Sequence, residues 1–111
     1  MPTRSGNDIY FTKTAFVNPS TITDTSVVAA GGTGVKYRVH AVAVVAAGAN
    51  NVYFKSGSTA ICGTMALAAN GGFVLPYNPE GWFVTSANEA LNFTTSAAVA
   101  TGATVVYSTE V

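Results

Sequence analysis

Glycines divide this chain into short segments, and this spacing limits what the chain can form more than any other feature. Eleven glycines are spread over 111 residues, and several stand beside Asn, Ser or a second Gly, a pattern typical of turns. Gly, Thr, Val and Asn are frequent along the chain, whereas Glu, Lys, Arg and Leu are scarce. This composition disfavours helices and favours strands and turns. The sequence therefore predicts an all-β protein built from short strands.

The clearest predicted strand is a long one over residues 35–47. Its first half alternates, with Lys36, Arg38 and His40 on a polar face, as a half-buried strand does. Its second half, residues 41–47, is apolar on both faces. That half lies either between two layers of the protein or with its outer face against another subunit.

The remaining strands are predicted from short extended segments between turns. They cover residues 9–17, 25–30, 52–55, 59–68, 73–75, 82–85, 90–97 and 103–111, with a bulge at Gly63 and the last two strands paired antiparallel around Gly102. We expect an antiparallel β-sandwich, specifically a jelly roll of about eight short strands. A seven-stranded sandwich is the alternative.

The length of the chain suits one domain. We expect residues 8–111 to form a single β-sandwich domain and the polar residues 1–7 to form a flexible N-terminal arm. The arm has no apolar run of the kind a signal peptide contains. The longest apolar stretch, residues 39–49, is shorter than the roughly 18 residues that span a bilayer. We therefore expect synthesis in a cytoplasm and no membrane partner.

The chain carries unusually few charges. Charged residues make up 9% of the chain and the formal net charge is zero, against about 25% charged residues in typical soluble domains. Two interpretations stay open: a surface coated with Thr, Ser and Asn, or a surface covered by partner subunits. Zero net charge also disfavours nucleic acid as a partner.

The sequence contains no pattern that predicts catalysis or metal binding. The single histidine, His40, follows Lys36 and Arg38 on the polar face of its strand, so we expect a surface or interface residue rather than a base. The single cysteine, Cys62, follows an apolar residue and is expected to be a small buried hydrophobe. The five carboxylates are scattered without ligand spacing. We expect a protein that is not an enzyme and has no cofactor.

Three aromatic residues near two prolines form the most informative cluster in the sequence. Tyr77, Trp82 and Phe83 would either close one end of the sandwich, form a protein interface or stack against sugar rings. Val42 and Val44, in the apolar half of the long strand, are the other residues that we expect at an oligomer or partner interface.

Three segments of the C-terminal half resemble a known family. Residues 55–63 read KSGSTAICG, residues 67–83 read LAANGGFVLPYNPEGWF, and residues 89–92 read EALN. This series of turns resembles that of small virion proteins of tailed bacteriophages, jelly-roll or sandwich proteins that decorate or cement capsids, with related modules in tails. Asn88 stands where the family pattern has glycine, and Asn tolerates the positive φ that such a turn needs.

The resemblance implies a function and a set of partners. It implies a structural virion protein on the capsid surface that stabilises a phage head by bridging capsomers, binds the major capsid protein and assembles as a homotrimer. Arg4 and Asn7 on the N-terminal arm would contact the shell. The alternative is a phage tail or baseplate component that binds carbohydrate on the host surface.

Overall fold

The computed structural model describes residues 12–111. In this range the chain forms ten strands and no helix. The strands are β1 Lys13–Val17, β2 Thr23–Val28, β3 Lys36–Ala46, β4 Asn50–Ser56, β5 Thr59–Ala60, β6 Met65–Leu67, β7 Gly72–Leu75, β8 Phe83–Val84, β9 Leu91–Thr95 and β10 Thr101–Glu110.

The strands form two five-stranded sheets. In the β3 sheet the order is β1-β10-β3-β7, and β8 also pairs with β3. In the β4 sheet the order is β2-β9-β4-β5, and β6 also pairs with β4. Every pairing is antiparallel. The prediction of an all-β antiparallel sandwich is confirmed.

The core lies between the two sheets. Phe54 and Phe93 of the β4 sheet are fully buried and their ring centroids are 5.0 Å apart. Burying a side chain of this size contributes about 1.5–3 kcal/mol. Inward residues of β3, β4, β9 and β10 complete the cluster, namely Tyr37, Val39, Val42, Val44, Val52, Leu91, Ala103 and Val105.

The long strand β3 changes its inward face halfway along its length. Tyr37 and Val39 point into the core, and beyond the break Val42 and Val44 do so. The register against β10 shifts at this point, because Val39 pairs with Tyr107 and Ala41 pairs with Val106. His40 is therefore an extra residue in a β-bulge, which reverses the inward and outward positions of the strand.

The prediction of one continuous strand over residues 59–68 is wrong. The segment is divided into β5 and β6, and Gly63 lies in the loop between them rather than in a bulge. Both short strands pair with β4, β5 near its end and β6 near its start. The loop places Cys62 close to the backbone of Phe54, whose N–H donates to the cysteine Sγ over 3.2 Å.

The predicted pairing of the last two strands is also wrong. β9 belongs to the β4 sheet, between β2 and β4, whereas β10 belongs to the β3 sheet, between β1 and β3. Gly102 lies within β10 opposite Val45 and makes no turn. The chain crosses between sheets in the segment from residue 96 to residue 100, where Asn50 accepts hydrogen bonds from the N–H groups of Ser96 and Ala97.

Asparagine takes the place of glycine at two turns. Asn70 and Asn88 have φ values of 61° and 59°, in the left-handed region that Asn tolerates better than most residues. The prediction that Asn88 preserves a turn with positive φ is confirmed. The predicted arm over residues 1–7, with Arg4 and Asn7, and the first part of the predicted first strand lie outside the described residues.

Candidate functional site

The loop from Pro76 to Trp82, which joins β7 to β8, is held against β3 by backbone hydrogen bonds. The N–H of Asn78 donates to the carbonyl of His40 over 2.9 Å, and the N–H of Trp82 donates to the carbonyl of Val39 over 2.7 Å. Within the loop, the N–H of Gly81 donates to the carbonyl of Asn78 over 2.9 Å. The middle and the C-terminal end of the loop are therefore hydrogen-bonded to the bulged part of β3.

Two aromatic rings project from this fixed loop. Tyr77 is 49% exposed and Trp82 is 43% exposed. The indole N–H of Trp82 donates to the carbonyl of Pro76 over 2.8 Å. The ring of Tyr77 is stacked on the imidazole of His40, with centroids 5.3 Å apart and planes 20° apart. Both rings are therefore held by contacts within the molecule.

Phe83, the third aromatic residue of the predicted cluster, packs inward, unlike Tyr77 and Trp82. Phe83, in β8, is partly buried and packs against the core, with its ring centroid 5.4 Å from that of Phe54. The structure therefore separates the predicted trio into one residue that closes the sandwich and two that face solvent.

His40 is buried within the chain, so the prediction of a surface or interface histidine is wrong. Only 5% of the residue is exposed. Its Nδ1 lies 2.8 Å from the carbonyl of Asn78, and its Nε2 lies 2.8 Å from the Oγ of Ser108. Since a carbonyl only accepts, Nδ1 carries a proton and donates. The imidazole fastens the aromatic loop to β10 and holds the ring of Tyr77.

An ion pair lies beside the loop. Arg38 donates from Nε and Nη2 to the carboxylate of Glu110 on the neighbouring strand β10, and from Nη1 to the carbonyl of Glu80 over 2.8 Å. The hydrogen bond from Arg38 holds the pKa of Glu110 below its usual value. Arg38 therefore ties the loop to the end of β10.

The outer face of the β3 sheet is apolar beyond the bulge. One row of paired residues crosses four strands as Phe16, Thr104, Ala43 and Val74. The flanking rows are Gly102, Val45 and Gly72 on one side and Thr14, Val106 and Ala41 on the other. We call these ten residues the apolar face.

Three large side chains of the apolar face are exposed to solvent. Phe16, Val45 and Val74 are 67%, 61% and 70% exposed. By contrast, Val42 and Val44, the residues that the sequence nominates for an interface, are about 2% and 1% exposed and point into the core. The bulge at His40 accounts for this correction, because it moves Val45 rather than Val44 to the outside.

The outer face of the β4 sheet has a different character. Lys55 donates to the carboxylate of Asp24 over 2.9 Å, and the hydroxyl of Thr94 donates to the same carboxylate over 2.8 Å. The hydrogen bond from Lys55, assisted by Thr94, lowers the pKa of Asp24. Half-buried Tyr53 lies under the ammonium group of Lys55, 5.6 Å from it. The outer face of the β4 sheet therefore differs in polarity from the part of the β3 sheet beyond the bulge, while the rest of the β3 sheet carries the ion pair of Arg38 and Glu110.

The free thiol is shielded. Cys62 is half-buried and packs against the core. Burial raises the pKa of its thiol, which disfavours the thiolate that reacts as a nucleophile. The prediction of a small buried hydrophobe is close, with the addition that Sγ accepts a backbone hydrogen bond.

Within residues 12–111, no three His, Cys, Asp or Glu side chains group as metal ligands. In the same range no helix is long and apolar enough to cross a membrane. Comparisons of the chain with protein-family models, with curated proteins and with solved structures found no match.

Proposed function

We propose that this chain is a structural virion protein, a capsid decoration or cement protein that stabilises the head of a tailed phage by bridging capsomers. The main support is the fixed aromatic loop, which carries two half-exposed rings. Trp and Tyr dominate the few residues that supply most of the binding energy at protein interfaces, and such anchors are effective when they are held rigidly. The loop lies within residues 67–83, one of the segments in which the sequence resembles phage virion proteins.

The strand order supports a jelly roll as the specific form of the sandwich. The order is β1-β10-β3-β7 in one sheet and β2-β9-β4-β5 in the other, with β8 also paired with β3 and β6 also paired with β4. The outermost strands in the sequence therefore pair with each other in both sheets, as they do when two Greek keys are wound together. Jelly rolls occur in viral capsid proteins and also in lectins, so the fold is compatible with the proposal without deciding it.

Attachment to the shell combines several weak contacts. In this proposal the protein acts as a homotrimer, and Arg4, Asn7, Tyr77 and Trp82 contact the major capsid protein. Simultaneous attachment of three subunits multiplies the effect of each contact. The protein is made in the bacterial cytoplasm and ends on the capsid surface. It acts without catalysis or a cofactor.

Co-sedimentation with capsid shells tests this function. The shells are those of the phage that encodes the chain, stripped of decoration, and the protein is wild type, Trp82→Ala, Tyr77→Ala or a chain lacking residues 1–7. We expect the wild type to sediment with the shells, and each variant to bind at least ten-fold more weakly while its melting temperature stays close to that of the wild type. Ile22→Ala is the matched control, because Ile22 is also exposed but precedes β2 in the other sheet.

Two results would count against the proposal. If the wild type fails to bind the shells at any concentration, the cement function is wrong. If the two aromatic variants bind as the wild type does, the loop is not the contact surface. If the chain without residues 1–7 binds the shells as the wild type does, residues 1–7 do not contribute to capsid binding.

The second candidate function is binding of host carbohydrate by a tail or baseplate component. The exposed rings of Tyr77 and Trp82 favour it, since flat aromatic faces stack against sugars, and Arg38 and Glu80 supply polar groups next to them. A glycan array distinguishes the two functions. Binding that Trp82→Ala abolishes, together with no shell binding by the wild type, would replace the cement function with this one.

A further inference from the structure

We propose that Asn70 is a site of spontaneous chemical modification, and that the turn around it sets the rate of the reaction. The side-chain amide of Asn70 is converted to a carboxylate through a cyclic imide formed with the backbone nitrogen of Gly71. One product lengthens the main chain in the turn and weakens the pairing of β7 with β3. The inference goes beyond the proposed function and does not depend on it, because it concerns the turn between β6 and β7 and not the aromatic loop.

The residue that follows each asparagine distinguishes Asn70 from the others. The reaction needs an N–H on the following residue and open space around that nitrogen. Proline has no N–H, which protects Asn18 and Asn78. The other asparagines precede Asp, Asn, Val, Glu or Phe, whose side chains hinder the approach, and Asn70 alone precedes glycine. Asn70 is also exposed, so water reaches its side chain.

Water is the only co-reactant that the reaction needs. The nitrogen of Gly71 attacks Cγ of Asn70 and forms a bond to it, the bond from Cγ to Nδ2 breaks, and Nδ2 leaves as ammonia with the proton from Gly71. One water molecule then opens the five-membered ring. Cleavage of the ring bond to Cγ gives aspartate, whereas cleavage of the ring bond to the main-chain carbonyl gives isoaspartate, whose main chain is one carbon longer. No atom is oxidised or reduced.

The closed turn holds this reaction back. The N–H of Gly71 donates to the carbonyl of Ala68 over 2.8 Å, and Asn70 has a φ of 61°, which the third residue of a β-turn needs in some turn types. While this hydrogen bond persists, the nitrogen of Gly71 keeps its proton and does not move towards Cγ. The attack therefore follows a local opening of the turn, and exposed turns open without unfolding of the whole protein.

The turn is a short connection between the two sheets. Residues 68–71 join β6, which pairs with β4, to β7, which pairs with β3. The carbonyl of Gly71 accepts a hydrogen bond from the N–H of Ala46 over 2.9 Å, and the α-carbon of Gly72 lies against the backbone of β3. An extra carbon in the main chain before Gly71 displaces these contacts, whereas aspartate keeps the length of the chain.

Ageing of the full chain tests the inference. The protein is kept at pH 8 in buffer and, in parallel, in concentrated urea, and chymotryptic peptides are analysed by mass spectrometry for replacement of an amide nitrogen by oxygen. We expect the peptide of residues 68–73 to be modified in both samples, about ten-fold or more slowly in the folded protein. Asn88 is the matched internal control, because it is exposed and has a φ of 59° but precedes Glu89. Its peptide should be modified far more slowly in both samples.

Two variants separate the effects of charge and chain length. Asn70→Gly keeps the positive φ and has no amide, so it should not age. Asn70→Asp adds the carboxylate without lengthening the chain. The aged protein is separated from the unmodified protein by ion exchange, because the formal net charge changes from zero to negative. We expect the aged protein to melt at a lower temperature than Asn70→Asp.

Each part of the inference has a result that overturns it. The site is wrong if the 68–73 peptide of the folded protein is modified no faster than the peptide that contains Asn88. Control by the turn is wrong if the folded protein and the protein in urea age at the same rate. The effect on β7 is wrong if the aged protein melts as Asn70→Asp does.

Discussion

Gly72 begins β7 with its α-carbon pressed against the backbone of β3. A β-carbon added there would collide with the carbonyl oxygen of Val44 and would come within 3.0 Å of the α-carbon of Val45. Backbone atoms in the middle of a sheet cannot move aside as a flexible side chain does. We expect Gly72→Ala to lower the free energy of unfolding by roughly 1–3 kcal/mol, the usual cost of overpacking, in urea denaturation.

Gly63 provides the matched control for this prediction. A β-carbon added at Gly63 would meet no atom within 4 Å, and Gly63 lies in the loop between β5 and β6. Gly63→Ala should therefore leave the denaturation midpoint almost unchanged. Equal midpoints for the two variants would mean that β7 is not closely packed against β3.

Thr85 and Tyr37 exchange a pair of hydrogen bonds in the core. The N–H of Tyr37 donates to the Thr85 Oγ1 over 2.9 Å, and the N–H of Thr85 donates to the Tyr37 carbonyl over 2.9 Å. Thr85 is 2% exposed, so water cannot replace a lost partner. Thr85→Val keeps the shape but leaves the N–H of Tyr37 unpaired, and we expect a loss of about 1–3 kcal/mol in the free energy of unfolding.

Thr85→Ser tests whether this loss comes from the hydrogen bond. Serine keeps the oxygen and removes one methyl group, which is worth about 0.8 kcal/mol when buried. The serine variant should therefore melt at a higher temperature than the valine variant in calorimetry. The reverse order would show that packing by the methyl group matters more than the hydrogen bond.

At the level of elements, the sequence predicts strands better than it predicts their faces. The long strand at β3 was found from its alternation, and its extent agrees within one residue at each end. The bulge at His40 was missed, because a bulge is set by the partner strand β10 and not by the residues of β3 alone. This one residue explains why the sequence selected Val42 and Val44 for an interface although both point into the core, whereas Val45 points outward. The sequence also does not predict that Phe16 and Val74 share an exposed face with Val45, because these residues lie on different strands and only strand pairing brings them together.

Where β3 pairs with the end of β10, the ion pair of Arg38 and Glu110 makes stability depend on pH. The pKa of Glu110 in the folded protein is lowered by the hydrogen bond from Arg38, so the stabilisation is present above the unfolded pKa of about 4.3. It is lost as the pH falls through the folded pKa. Both side chains are more than a third exposed on average, so we expect Glu110→Gln to cost less than about 1 kcal/mol at pH 7.

Urea denaturation of the wild type and Glu110→Gln at pH 7 and pH 3 measures this effect. We expect the difference between the two proteins to shrink at pH 3, and to shrink also in high salt at pH 7. Glu80→Gln is the comparison, because among residues 12–111 the Glu80 carboxylate forms no ion pair and acts on Arg38 only through a weaker charge interaction, so its effect should be the smaller of the two. A difference that is independent of pH would mean that Glu110 acts through packing and not through its charge.

At the scale of the whole molecule, pairing between distant strands decides the fold. β1 pairs with β10 and β2 pairs with β9, so each sheet joins the beginning of the described chain to its end. Sequence patterns identify strands locally, and the nearest strand is the natural guess for a partner. That is why the prediction pairs β9 with β10 across a turn at Gly102, although it places the ends of both strands within two residues of those observed.

This arrangement predicts that the chain does not fold until its last strand is present. β10 lies between β1 and β3, and its residues Ala103 and Val105 are buried in the core. A chain that ends at residue 100 leaves β1 without its partner in the β3 sheet and exposes the core beside it. We expect this truncated chain to lose the cooperative thermal transition and the dispersed amide spectrum of the full chain.

Deletion of Val111 alone is the control for this truncation. It shows whether an effect comes from the loss of β10 or only from a change at the C-terminus. Val111 follows β10 and is fully exposed, so its deletion should leave the melting temperature unchanged. Because contacts between distant strands have to form before the core is closed, the full chain should refold in milliseconds to seconds after dilution from urea, as sandwiches do. A truncated chain that still unfolds cooperatively would show that β10 is an accessory strand, and the pairing of the two chain ends would then not be what holds the sandwich together.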